Sequence, residues 1–234
     1  MQVSLAYGRQ RLTIDLPAHA VVISPVEPPG LPGERAAFTA AVRQPVGSPA
    51  LRTLVRESDH VAIVIADITR PSPSERLVPW ILEELDYVPR QNIVILNGTG
   101  SHRANTRLEL VRMLGAEVVE SVRIANHDAF NAETLSLLGR LSTGGDVWLN
   151  REYLEADVRI VTGFIEPHFF AGFSGGPKGI VPGLAGIQTI MHLHSAQMIG
   201  HPGSTWMEID NNPIQAGIRQ MPFQHGYRVH DHYP

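Results

Sequence analysis

The chain has 234 residues, 43% of them hydrophobic and 18% charged, with a formal net charge of −4 and no cysteine. That balance permits a well-buried core, and scattered charges of both signs leave no basic footprint for nucleic acid. Without cysteine there are no disulfides and no thiolate metal sites, which suits a reducing compartment.

In chain order, "QVSLAYGRQRLTIDLP" alternates apolar and polar residues on both sides of Gly8–Gln10 and predicts a β-hairpin. This N-terminus lacks the charged start and apolar core of a signal peptide. The longest purely apolar run, Val61–Ala66, is far too short to cross a bilayer, so a cytoplasmic protein without a membrane partner is expected. Residues 25–33, "PVEPPGLPG", read as a connector, and two short helical patches follow near Glu34–Val42 and Ala50–Val55. "VAIVIAD" is a continuous β-branched run, the signature of a strand buried on both faces of a parallel sheet. After it, Ser72 and Glu75 predict a capping box with Pro73 at the first helical position, and Pro79 a distortion early in that helix.

"NIVILN" (Asn92–Asn97) predicts a second buried strand, with "GTGSHRANT" as its exit loop. Thr106 and Glu109 form another capping box, for a helix to about Leu114. A short strand near Val122–Ala125, a buried strand within Ala156–Gly163 and one helix near Leu184–Met198 complete the pattern. Residues 1–220 are expected to form the folded domain, and the tail from Met221, which has no clear period, to pack loosely. Alternating strands and helices define an α/β fold: a mainly parallel, Rossmann-like sheet flanked by helices, with an N-terminal β-hairpin.

The unusual residues follow the strands. "DITRP" leaves the first buried strand, "GTGSHR" the second, and "GFIEPHFFAGFSGGPKG" the later one. Parallel strands share a direction, so their C-terminal ends lie on one edge, where ligands bind. Asp67, Thr69, Arg70, Thr99, His102, His168 and Lys178 are therefore expected to meet in one crevice.

Each loop alone keeps two readings. "GTG" is a phosphate cradle or a tight turn. Arg70 is a planar fork for a phosphate or carboxylate, or a surface ion pair with Asp67. His102 is a general acid/base or an ordinary loop histidine. The long loop is no Walker A motif, because Pro177 precedes Lys178 and Gly179 follows it, and no GxGxxG exists elsewhere. Phe169, Phe170 and Phe173 call for burial, so the loop is expected to be shaped rather than merely flexible. In a helix over "IQTIMHLHSAQMIGH", Ile187, Ile190, Met191, His194 and Met198 share one face, which turns His194 inward and His192 away. His225, His230 and His232 read as parts of an exposed tail.

Together "DITRP", "GTGSHR", "GFIEPHFFAGFSGGPKGIVPGLAG", "MHLHS" and "NPI" resemble the nickel-dependent lactate racemases and their relatives, over roughly Asp67 to Ile214. The resemblance implies a 2-hydroxy-acid racemase or epimerase, an isomerase acting on a small molecule, with lactate as substrate by family precedent. It implies nickel held in a nickel pincer nucleotide, nickel-pyridinium-3,5-bisthiocarboxylate mononucleotide, covalently bound at Lys178 and supplied by cofactor-biosynthesis enzymes. Nickel there is bound through two sulfurs and a ring carbon. By the same resemblance His194 is the protein's nickel ligand, and His102 and His168 are the paired acid/base histidines. Asp67, Ile68, Thr69, Arg70, Thr99 and Gly100 are cofactor contacts, and Arg70 also meets the substrate carboxylate. Full-length members carry a C-terminal domain that closes over the site; this sequence stops near the end of the first domain. A cofactor-binding module without turnover is the alternative reading.

Overall fold

The structure is a computed structural model that describes residues 1–23 and 29–224, the last four by backbone alone. Two compact units emerge, one up to Glu34 and one from Arg35 on. In the first, β1 (Gln2–Tyr7) and β2 (Gln10–Asp15) pair antiparallel as the expected hairpin, turned by Gly8 at φ 59°. Of the expected connector, residues 25–28 lie outside the described residues.

The second unit is built on β3 (Val61–Ala66), β4 (Ile93–Gly98) and β5 (Arg123–Asn126). An antiparallel pair, β6 (Leu135–Arg140) and β7 (Asp146–Asn150), precedes the fourth sheet strand, β8 (Val158–Val161). The sheet order is β5-β4-β3-β8, and every pairing in it is parallel. From β3 the chain steps outward to β4 and β5, then returns to the other side of β3 at β8. The winding therefore reverses between β3 and β8, and a crevice opens at the C-terminal ends of strands on such a reversal.

The period of two along β3 explains its unbroken apolar run. Val61, Ile63 and Ile65 enter one core with the helices α3 and α4 described below, while Ala62 and Val64 enter the other. The first face is covered by α1 (Glu34–Arg43), α2 (Leu51–Leu54), α3 (Ser74–Glu84), α4 (Arg107–Leu114) and α5 (Ala116–Ser121). Val78, Ile81, Leu82, Leu114 and Val118 supply their buried sides. Each such side chain removed from water contributes roughly 1.5–3 kcal/mol.

The opposite face is covered by a mixed layer: β7, α6 (Arg151–Glu155), an irregular stretch through Ile180–Ala185, and then α7 (Ile187–Leu193), α8 (Ala196–Ile199) and α9 (Pro213–Gln224). Two short strands, β9 (Pro167–His168) and β10 (Gly172–Phe173), form a small hairpin of their own.

Two expectations need correction. The capping box at Ser72 and Glu75 does not form, because Pro73 (ψ 51°) is not helical and takes the N-cap position itself. The helix starts one residue late, which moves Glu75 out of the position from which it could reach back. Pro79 sits inside α3 without ending it. The single helix near Leu184–Met198 is two: the chain breaks at His194 and restarts with Ser195, whose hydroxyl accepts from the Met198 N–H. The last helix runs to Gln224, and the rest of the tail expected to pack loosely lies outside the described residues. The box at Thr106 and Glu109 forms in full.

Candidate active site

A cleft of about 330 Å³ opens at the C-terminal ends of β3, β4 and β8, within the range usual for small-molecule sites. Asp67, Arg70, Thr99, Gly100, His102, His168, Lys178 and His194 all line it. Ile68 and Thr69 do not. The Ile68 N–H donates to Asn105 Oδ1 (3.3 Å), and the Thr69 hydroxyl donates to Asp67 Oδ1 (2.7 Å). These two residues shape the loop from behind.

Asp67 is buried at the end of β3, 4% exposed. Its second oxygen, Oδ2, meets His102 Nδ1 at 2.7 Å. The aspartate is thus the partner of His102, and the ion pair with Arg70 entertained from sequence does not form. Arg70 donates from Nη1 to the Thr69 hydroxyl (3.2 Å) and lines the cleft. Downstream of His102, Arg103 forks onto Glu109 at 2.9 and 2.7 Å. This bond, with the Thr106 backbone, holds the Glu109 carboxyl far below the usual carboxylate range. The catalytic-loop candidate is therefore tied to the start of α4.

The "GTG" donors are already committed. The Thr99 N–H donates to Asn97 O (3.0 Å), the Gly100 N–H to Gly183 O (2.9 Å), and the Thr99 hydroxyl to His127 O (2.6 Å). The segment is a tight turn with Gly100 at φ 55°, and it offers the cleft a wall rather than a cradle of free N–H groups. Its glycines serve backbone contact: a Cβ on Gly98 would lie 3.2 Å from Ile65 O and 3.4 Å from both Gly179 O and Gly183 O. That close approach is how the Lys178 segment reaches the end of β4.

Lys178 lies on a 3₁₀ turn, Gly176–Gly179, and its amine is pushed down to about 8 by burial, then by the nearby Arg70, against an opposing pull from Glu166. A lysine so placed keeps a sizeable neutral, nucleophilic fraction near neutral pH. His168 sits on the β9–β10 hairpin, whose open end is pinned by Ser174: its hydroxyl donates to Phe164 O (2.8 Å). The imidazole is pushed down to about 4 by burial first, then by Lys178, Arg70 and His194, so it is neutral at pH 7. Its ring stacks on Phe169 (4.9 Å, 15°) and meets the edge of Phe170 (4.5 Å). Phe170 is buried as expected; Phe169 is 59% exposed, because its ring is spent on the histidine rather than on the core.

His194 caps α7, and its Nδ1 donates to Ile190 O at 2.7 Å. A carbonyl can only accept, so Nδ1 carries a proton, and in the neutral ring this puts the lone pair on Nε2, the arrangement a metal-binding imidazole requires. His192 instead faces Thr143, with Nε2 2.9 Å from the hydroxyl. Among the described residues no group of three or more protein ligands surrounds a common point. A metal at His194 would need its other donors from the cofactor, and a pincer ligand supplies three. The residues present fit that group.

Sequence reasoning missed the polar brace behind the cleft. Asn97 donates to both Asn105 Oδ1 (2.8 Å) and Asn126 Oδ1 (2.7 Å), joining the ends of β4 and β5 to the loop before α4. It also missed Asn212, which donates to Phe170 O (2.8 Å) and caps α9. The "NP" pair of Asn212 and Pro213 was an available cap signal; Asn105, one residue before a cap, carried none.

Fold and site together define an α/β domain with a histidine- and lysine-bearing cleft at the carboxyl edge of a parallel sheet. Residues 7–207 match the lactate racemase N-terminal domain family, and the chain belongs to that family. It is 35% identical over 217 residues to the lactate racemase of Thermoanaerobacterium thermosaccharolyticum, covering 91% of this chain and 51% of that protein. It is 38% identical over 182 residues to the lactate racemase of Lactiplantibacillus plantarum, covering 77% and 43%. The structure of the T. thermosaccharolyticum lactate racemase apoprotein superposes with a TM-score of 0.83 at 32% identity, over 97% of this chain and 54% of that one. A Thermotoga maritima protein shares the fold at 22% identity, with a TM-score of 0.66. The chain spans about half the length of these curated relatives. Among the described residues, no helix is long and apolar enough to cross a membrane.

Proposed function

We propose that this chain is the cofactor-binding, catalytic half of a 2-hydroxy-acid racemase or epimerase, acting on lactate or a close analogue. The observation that carries the reading is the convergence of His102, His168, Lys178, His194 and Arg70 on one cleft, within a span matched by the lactate racemase family. Lys178 is the covalent anchor for a nickel pincer nucleotide and His194 Nε2 its nickel ligand. That group, when bound, supplies the acceptor and donor for the α-hydrogen.

The chain's own residues do the rest. Arg70 holds the substrate carboxylate with its guanidinium. Direct removal of the α-proton as H⁺ would demand a very strong base, whereas the hydroxyl proton is within reach of an imidazole. His102, braced by Asp67, and His168, held neutral by burial, flank the position that hydroxyl would take. Thr99, Gly100 and the 178–183 segment wall the cofactor in, and Asp67 and Arg70 form its other side.

The test is intact and peptide mass analysis after co-production with cofactor-making enzymes. A nickel-containing adduct on Lys178 is expected. An unmodified Lys178, under conditions that load the T. thermosaccharolyticum relative, contradicts the proposal. The competing reading, a cofactor-binding module without turnover, is motivated by the half-length match. It is favoured if loaded protein binds one lactate enantiomer and never yields the other.

A further inference from the structure

The hydrogen bonds at the backs of the two candidate acid/base histidines run in opposite senses. A carboxylate can only accept, so His102 Nδ1, 2.7 Å from Asp67 Oδ2, carries a proton. A neutral His102 then presents a bare Nε2. A backbone N–H can only donate, so His168 Nδ1, which accepts from the Ala171 N–H at 3.2 Å and faces the Phe170 N–H at 3.5 Å, has no proton. A neutral His168 then carries its proton on Nε2. The aromatic contacts with Phe169 and Phe170 hold that ring in plane.

We infer that the site keeps its two histidines in opposite tautomers, set by Asp67 on one side and by the Phe170–Ala171 turn on the other. In the neutral rings His102 Nε2 is the proton acceptor, and His168 Nε2 is a hydrogen-bond donor. The tautomers follow from the partners alone; their use in catalysis rests on the acid/base reading above. An imidazole protonated only at Nε2 offers the substrate no basic nitrogen. For His168 to take a hydroxyl proton, its bond to the turn has to be given up. The first proton transfer therefore falls to His102, which becomes an imidazolium facing the Asp67 carboxylate. His168 meanwhile steadies the substrate oxygen as a neutral donor. Exchange of roles couples the proton to a movement of residues 169–171. Asp67 and the Ala171 N–H are positioning groups in this scheme, since neither needs to touch substrate.

Long-range ¹H–¹⁵N correlation spectra of the ¹⁵N-labelled, cofactor-free chain at neutral pH test the inference, because they report which ring nitrogen is protonated. His102 is expected to be protonated at Nδ1 and His168 at Nε2. In Asp67→Ala, His102 is expected to lose its single tautomer while His168 keeps its own, a pattern that general loosening of the fold would not produce. Finding His168 protonated at Nδ1, or both histidines in the same tautomer, overturns the inference. So does an unchanged His102 in Asp67→Ala. If that variant does not fold, the unaltered chain's spectrum decides alone. The readout needs no nickel and no turnover, so its failure and a missing Lys178 adduct are separate results.

Discussion

The two faces of the central sheet are built by different means. Ile63 and Ile65 meet helices whose apolar stripes fill one core. Ala62 and Val64 are smaller and meet a layer of irregular backbone, from Ile180 to Ala185, that helices only partly complete. Regular helices pack at a distance fixed by their side chains, close to 8–10 Å between axes. Backbone can come much closer, provided that no Cβ intervenes, and Gly98, Gly179 and Gly183 meet that condition. The helical face therefore supplies stability, and the irregular face brings a lysine and a histidine to the strand ends.

Substitutions on each face sharpen this contrast. Gly183→Ala puts a methyl onto a carbonyl at 2.2 Å; a loss above about 3 kcal/mol is expected, the upper end of what overpacking costs. Urea denaturation measures it, and a near-neutral outcome would break the close-approach argument. On the helical face, Ile81→Ala is expected to cost about 2–3 kcal/mol through lost burial and a cavity. Lys178 should still be labelled by amine reagents in that variant, because the damage lies across the sheet.

Lys178→Met should stabilise the chain, by on the order of 1–2 kcal/mol at pH 7, since burial disfavours the ammonium. The folded-state value of about 8 lies below the ordinary value of 10.5. The penalty is therefore fully present below pH 8 and fades as pH rises from about 8 to about 10.5. Melting curves of both proteins across that window check the sign: the gain must shrink with rising pH. The smallest effects come from the two look-alike caps. Thr106→Ala should cost about 1 kcal/mol, whereas Ser72→Ala should cost less than about 0.5 kcal/mol because its hydroxyl caps nothing.

The caps also show how far the sequence could be read. Ser72–Glu75 and Thr106–Glu109 carry the same spacing, yet only the second is a capping box. One backbone angle at Pro73 decides, and no pattern of residue types encodes it. β3 and β4 were legible because burial on both faces demands an unbroken apolar run, whereas β8, also expected to be buried, is only half-buried along its length. The β6–β7 hairpin was not anticipated, although "STGGD" between alternating segments is a turn signal with Gly144 at φ 99°. At the site, the meeting of Asp67, Arg70, His102, His168 and Lys178 followed from strand direction alone. The Asp67–His102 bond did not, since 35 residues separate them. Nor did the His194 Nδ1 bond to Ile190 O, which depends on a helix ending at that residue.

The central claim, that this cleft moves a hydroxyl proton through its histidines, is tested most directly by chiral analysis of lactate. The cofactor-loaded chain and its His102→Ala variant would each be supplied with one enantiomer. The account expects the unaltered chain to approach a racemic mixture. The variant should keep its Lys178 adduct by mass and lose at least about 100-fold in rate, the usual scale of general acid–base catalysis. Equal racemisation by both proteins would contradict it.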